Sequence, residues 1–277
     1  MDLAQAAGSK SEVAGAGENA VWPVPAACLH RRLDEGESAL SGIQWRNSKA
    51  PGSKRYSASE VSKLMSLTPY RRKRRFDVTP EPSGSGKQAR ARRRRLIYVI
   101  QKHRATSLHY DFRLEWNGAL LSWAVPKGPS LDPDVNRLAM QVEDHPIDYA
   151  TFEGVIPEGE YGGGTVMLWD RGTWAPDDKD IAAALEKGDL KFTLRGKKLK
   201  GSWVLVRTRG FGKQPNRSSW LLIKHRDEFA STKDITEEKP YSVSSNRLLA
   251  DIARAEGGNV LKAATGDPTP KKRKVLR

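Results

Sequence analysis

The sequence predicts a mainly β fold, a closed or nearly closed barrel of about eight strands with few short helices and disordered tails. Three observations predict it. Eight short apolar or alternating runs follow one another between residues 96 and 224, each bounded by turn residues. Between them only Ile181–Lys187, closed by Gly188, has helical spacing and a stop signal. Six of the eight tryptophans fall between Trp116 and Trp220, enough bulk to fill a small barrel.

In chain order, Leu96–His103 is apolar and β-branched. His109–Trp116 alternates: His109, Asp111, Arg113 and Glu115 share one face, and Tyr110, Phe112, Leu114 and Trp116 the other. Asn117-Gly118 is a two-residue hairpin signal, and Ala119–Val125 returns. Further strands are expected at Arg137–Glu143, Thr165–Asp170, Leu190–Arg195, Ser202–Thr208 and Ser219–Lys224, with loops at 196–198 and 210–216. Upstream, residues 1–55 are rich in Ala, Gly, Ser and charge and read as disordered. A short helix is expected over Ser59–Leu67, capped by Ser57 or Ser59, and another over Asn246–Ala255 with tail beyond. The chain thus divides into an extension (1–70), a basic lead-in (71–95), the barrel (96–229) and a C-terminal helix with a basic tail (230–277).

The net charge of +15 is concentrated: residues 71–95 hold 11 basic and 2 acidic side chains, whereas residues 96–229 are nearly balanced at 19 and 18. A block of this kind suits a polyanion, nucleic acid first. The single cysteine, Cys28, excludes an internal disulfide framework and a cysteine-rich zinc site, and a reducing compartment is expected. No run reaches the ~18 apolar residues of a membrane span, and the N-terminus does not read as a secretory signal. The expected location is cytoplasmic, at the nucleoid. Pro270-Lys271-Lys272-Arg273-Lys274-Val275 also fits a nuclear import signal, and the spacing leaves an import address and a DNA-contacting tail both open.

His109 and Asp111 lie two apart on one strand face, and His103 ends the preceding strand across a short turn. Two imidazoles and a carboxylate without a thiolate suit a divalent transition metal, with a lean toward Mn²⁺. The same set serves 2-His-1-carboxylate Fe²⁺ oxygenases, whose second histidine follows far downstream, as His225 would here. Arg113 extends the row and offers a planar fork to a phosphate or carboxylate. In Glu143-Asp144-His145-Pro146, His145 is a candidate general acid, and the Tyr149 hydroxyl is a candidate oxyanion contact. Lys127, at a strand end, is a candidate phosphate contact. The glycines of 154–164 mark a loop of close backbone approach rather than a dinucleotide fingerprint.

Together Gln101-Lys102-His103, Leu108-His109-Tyr110-Asp111-Phe112-Arg113-Leu114, Ser122 through Pro129, Gln141 through Pro146, Phe152-Glu153-Gly154, Trp169-Asp170-Arg171-Gly172 and Trp220 through Lys224 resemble the 3′-phosphoesterase domain of bacterial ATP-dependent DNA ligase D. The likeness runs from about Phe76 to Lys224. It implies a β-barrel enzyme that uses Mn²⁺ to remove a terminal 3′-ribonucleoside and to hydrolyse the 3′-phosphate left behind to a 3′-hydroxyl. It implies metal ligands at His103, His109 and Asp111, and scissile-phosphate contacts at Arg113, His145 and Tyr149. Contributors are implied at Arg74, Glu81, Gln101, Lys127 and Arg137. DNA 3′ ends are the implied partner, with a separate ATP-dependent ligase and end-joining factors beside them, because 277 residues do not hold ligase and polymerase modules as well. Arg75 stands where the resemblance leads one to expect an acidic residue, which bears on the ribonuclease step. A non-catalytic module that binds DNA ends and recruits a ligase is the alternative.

Overall fold

A computed structural model describes residues 66–85, 95–208 and 219–269. The alternation seen from His109 onward becomes a strand because one face is packed on the core and the other meets a second layer. The first three strands are β1 (Leu96–Arg104), β2 (Leu108–Trp116) and β3 (Ala119–Val125). Asn117 and Gly118 join β2 to β3 with φ of 52° and 85°, the left-handed pair that a tight hairpin requires. There follow β4 (Arg137–Gln141), β5 (His145–Pro146), β6 (Gly154–Ile156), β7 (Gly164–Pro176), β8 (Asp189–Gly196), β9 (Lys200–Arg207) and β10 (Ser219–Lys224). Antiparallel pairing runs β1-β2-β3-β4-β10-β9-β8-β7, and β7 returns to β1. The result is the closed eight-stranded barrel expected from the sequence. The short β5 and β6 are appended to β3 and β7.

Inside the barrel Tyr98, Phe112, Trp123, Phe192, Trp203 and Trp220 are fully buried. Each such side chain contributes about 1.5–3 kcal/mol through apolar burial. The opposite face of β1 presents Val99, Gln101 and His103 outward. A second apolar layer of Tyr70, Leu120, Tyr149, Phe152, Ile156 and Leu168 covers part of that outer wall. Tyr70 comes from helix α1 (Thr68–Arg72), and Tyr149 from a 3₁₀ turn at Ile147–Thr151.

Helix α2 (Ile181–Lys187) has the expected bounds; Asp180 caps its start and Gly188, at φ 78°, ends it. Several elements depart from expectation. β4 stops at Gln141, two residues short of the expected end, and the chain then turns toward β5. β7 continues past Asp170 to Pro176, because Trp174 keeps the inward alternation beyond Gly172 and packs in the core. β5 and β6 have no counterpart among the expected strands, because proline and glycine in runs of two and three residues give no strand signal. The segment read as one helix and a tail carries three helices: α3 (Ile235–Glu238), α4 (Leu249–Ala255) and α5 (Val260–Ala264). Asp234 and Asn259 cap α3 and α5, and Ile235, Ile252 and Ala263 reach the barrel core cluster. The disordered extension, nearly all of the Ser59–Leu67 helix, Cys28, the 210–216 loop and the Pro270–Val275 run lie outside the described residues.

Candidate metal centre

The turn at 105–107 folds β2 back along β1 with His103 opposite His109 and Gln101 opposite Asp111. Both histidines and Asp111 point outward from the barrel wall, and one ligand atom from each lies within 4.8 Å of the others. His103 Nδ1 is 3.7 Å from Asp111 Oδ2, and His109 Nε2 is 3.7 Å from Asp111 Oδ1. The remaining ring nitrogens meet backbone carbonyls: His103 Nε2 lies 2.8 Å from the Gly162 oxygen and His109 Nδ1 lies 3.0 Å from the Ser107 oxygen. A carbonyl only accepts, so those nitrogens carry the protons. The lone pairs at His103 Nδ1 and His109 Nε2 therefore both face Asp111. This donor set fits a divalent transition metal: two nitrogens and one oxygen, no sulfur, with the tautomers fixed from behind.

Burial alone would raise the Asp111 carboxyl, but the Arg113 guanidinium, helped by the two imidazoles, holds it well below the usual carboxylate range. Arg113 Nη2 is 3.1 Å from Asp111 Oδ2. Its Nε donates to Gln101 Oε1 at 2.9 Å and its Nη1 to Ser122 Oγ at 2.8 Å. Gln101 is held in turn, since its amide donates to the carbonyls of Tyr149 and Phe152. The outward faces of β1, β2 and β3 thus form one locked row.

Arg74 reaches the pocket from the lead-in. It donates to Glu81 Oε1 at 2.8 Å and to Glu143 Oε1 at 3.2 Å, and its Nη2 lies 3.3 Å from His145 Nε2. His145 Nδ1 donates to the Glu143 carbonyl at 2.8 Å. Burial, then the guanidiniums of Arg113 and Arg74, push the His145 imidazole well below its usual range, so it is neutral with its Nε2 lone pair toward Arg74. Tyr149 is buried, which raises its phenol well above the usual value, and its hydroxyl donates to Glu81 Oε1 at 3.0 Å.

His103, His109, Asp111, Arg74, Arg113, His145 and Tyr149 line a single hollow of about 160 Å³. Gln101 and Glu81 stand behind it as supports. Lys127 is exposed two residues beyond β3, Arg137 begins β4, and neither lines the hollow. His225 bonds to Ser202 Oγ and lies outside the cluster. Sequence reasoning missed Glu143, Tyr161 and Gly162 as parts of the pocket wall. The glycine loop was the available signal, since Gly162 at φ 80° aims its carbonyl at His103. Of the basic block at 71–75, Lys73 pairs with Glu143, Arg74 with Glu81 and Glu143, and Arg75 with Glu160. Much of that charge therefore fastens the lead-in over the pocket.

Fold and pocket together define a β-barrel with a candidate metal centre on its outer wall, flanked by two guanidiniums. Residues 101–207 match the family described as the DNA Ligase D 3′-phosphoesterase domain. It is 55% identical over 186 residues to the multifunctional non-homologous end joining protein LigD of Pseudomonas aeruginosa, covering 66% of this chain and 22% of that protein. Against the multifunctional non-homologous end joining DNA repair protein LigD of Mycobacterium tuberculosis it is 46% identical over 144 residues, 52% of this chain and 18% of the relative. The chain thus spans about a fifth of the length of these relatives.

Proposed function

We propose that this barrel is a Mn²⁺-dependent phosphoesterase that heals DNA 3′ ends during non-homologous end joining, removing a terminal 3′-ribonucleoside and hydrolysing a 3′-phosphate to a 3′-hydroxyl. The observation that carries the reading is the convergence of lone pairs on His103 and His109 upon a charged Asp111 beside a locked arginine. The match of residues 101–207 to the 3′-phosphoesterase domain family supports the same chemistry. His103, His109 and Asp111 would hold the ion, which when bound supplies Lewis-acid stabilisation of charge on a phosphate oxygen.

The protein's own groups supply the rest. Arg113 holds the phosphate and neutralises charge that builds on its oxygens, already oriented by Gln101 and Ser122. Arg74 contacts the same group from the roof. Incoming phosphate offsets the two guanidiniums around His145, so its Nε2 takes up a proton from solvent water and delivers it to the leaving oxygen as a second water molecule attacks phosphorus and the bond to that oxygen breaks. The Tyr149 hydroxyl turns from Glu81 to the phosphate. Lys127 and Arg137, outside the hollow, hold DNA away from the scissile bond. The partners are DNA 3′ ends and, through them, an ATP-dependent ligase with end-joining factors. No helix among the described residues is long and apolar enough to cross a membrane, and the proposed site of action is the nucleoid.

The test is a labelled primer–template bearing either a 3′-phosphate or a terminal ribonucleotide, incubated with and without Mn²⁺. Wild-type protein is expected to yield a ligatable 3′-hydroxyl only with the ion, and His109→Ala and Asp111→Ala to release no phosphate. Binding of an end that stays intact would overturn the enzyme reading in favour of a ligase-recruiting module.

A further inference from the structure

The outward row of β1 leads from His103 through Gln101 and Val99 to Ile97, and Arg95 stands just before the strand. At six residues and about 3.3 Å per residue, Ile97 is about 20 Å from His103. Here the wall carries two adjoining hollows of about 540 and 230 Å³ that share Thr173 and Arg195. Val99 pairs with Arg171, Ile97 with Thr173, and Thr173 with Arg195. Arg171 and Arg195 are therefore diagonal neighbours on one outer face, about 7–8 Å apart at Cα. Arg95 and Lys197 complete the lining charge, and no Asp or Glu among the described residues lines either hollow.

Acids and bases are nearly balanced between 96 and 229, and Arg74 and Arg113 are each already paired with a carboxylate. Arg95, Arg171 and Arg195 are exposed, and among the described residues no carboxylate pairs with them. Three free guanidiniums along one trough form a ready counter-surface for regularly spaced anions.

We propose that this trough binds the sugar-phosphate backbone of duplex DNA about six base pairs from the 3′ end held in the metal pocket, given the 3.4 Å rise per step of B-form DNA. The inference deepens the end-healing reading and rests on it for the position of the end. Its residues are separate from those of the pocket, and backbone contact of this kind is independent of sequence.

The experiment compares hairpin duplexes of 4 and 14 base pairs that carry a 3′-phosphate, with the Arg171→Gln/Arg195→Gln double variant and a charge-matched control, Lys187→Gln/Lys233→Gln. Both control lysines are exposed and lie outside the trough. Affinity for the long hairpin is expected to fall several-fold in the arginine variant, and the slope of log affinity against log salt to shrink by about 2, one per lost phosphate contact. Affinity for the short hairpin and phosphate release from it are expected to stay at the wild-type level. Equal losses on both hairpins, an equal loss in the control variant, or no loss at all would overturn the proposal. If the length-dependent loss appears in a protein that releases no phosphate, the trough stands and the phosphoesterase reading falls.

Discussion

At the scale of single residues, the candidate site depends on side chains whose protonation is fixed by their neighbours. His103 and His109 commit one nitrogen each to a carbonyl, and Asp111 stays ionised against Arg113. Asp144, on the short segment between Glu143 and His145, behaves in the opposite way. Burial, then the Glu143 carboxylate, raise its pKa to about 7. An unfolded aspartate titrates near 3.9, so between about pH 4 and 7 the unfolded chain sheds a proton that the native chain retains. The stability contributed by neutral Asp144 is complete below about pH 4 and is lost as pH rises to 7. Asp144→Asn removes that dependence. The stability of the variant relative to wild type, from urea denaturation at fixed pH values, is expected to increase from pH 4 to 7 and then level off. A difference that stays constant across that range would refute the role of burial at this carboxyl.

At the scale of elements, the site is an outcome of strand register. A slip of one residue between β1 and β2 would send His109 and Asp111 into the barrel and Tyr110 and Phe112 out of it. Gly164 helps to fix the neighbouring pair. Its φ is 151°, and a methyl group there would overlap the Arg104 carbonyl where β7 meets the end of β1. Gly164→Ala is expected to cost about 1–3 kcal/mol of unfolding free energy through overpacking. It should also weaken Mn²⁺ binding, because His103 pairs with Val166 two residues away. Unchanged denaturant and metal titrations would show that β7 can shift without moving His103. Register explains what the sequence made legible. His103, His109, Asp111 and Arg113 share a face of adjacent strands, and period-two alternation shows that directly. Glu81, Glu143 and the Gly162 carbonyl come from irregular segments whose packing depends on contacts 59 to 70 residues away. Lys127 and Arg137 sit at strand ends, where alternation does not determine which way a long side chain reaches.

At the scale of the molecule, the lead-in and the glycine loop form a roof over an outer wall, and both are tied to the candidate site. Tyr70 packs against His145 and Tyr149, Lys73 and Arg75 bind Glu143 and Glu160, and Gly162 holds His103. Arg75, whose basic charge is the departure noted in the sequence, faces that loop through Glu160. A bound ion that draws His103, His109 and Asp111 together therefore also tightens the roof, and its binding free energy adds to folding stability. For a ligand that binds only the native state, a concentration of one hundred times Kd adds about 2.7 kcal/mol. For a domain of 150–250 residues each kcal/mol moves Tm by about 2–4 °C, so Mn²⁺ is expected to raise Tm by about 5–10 °C. A chelator should reverse the shift, and His109→Asn should abolish it while leaving the metal-free Tm near that of wild type, because His109 is only half-buried at the turn. An equal Mn²⁺ shift in His109→Asn would place the ion elsewhere on the barrel and remove the physical basis for the candidate centre.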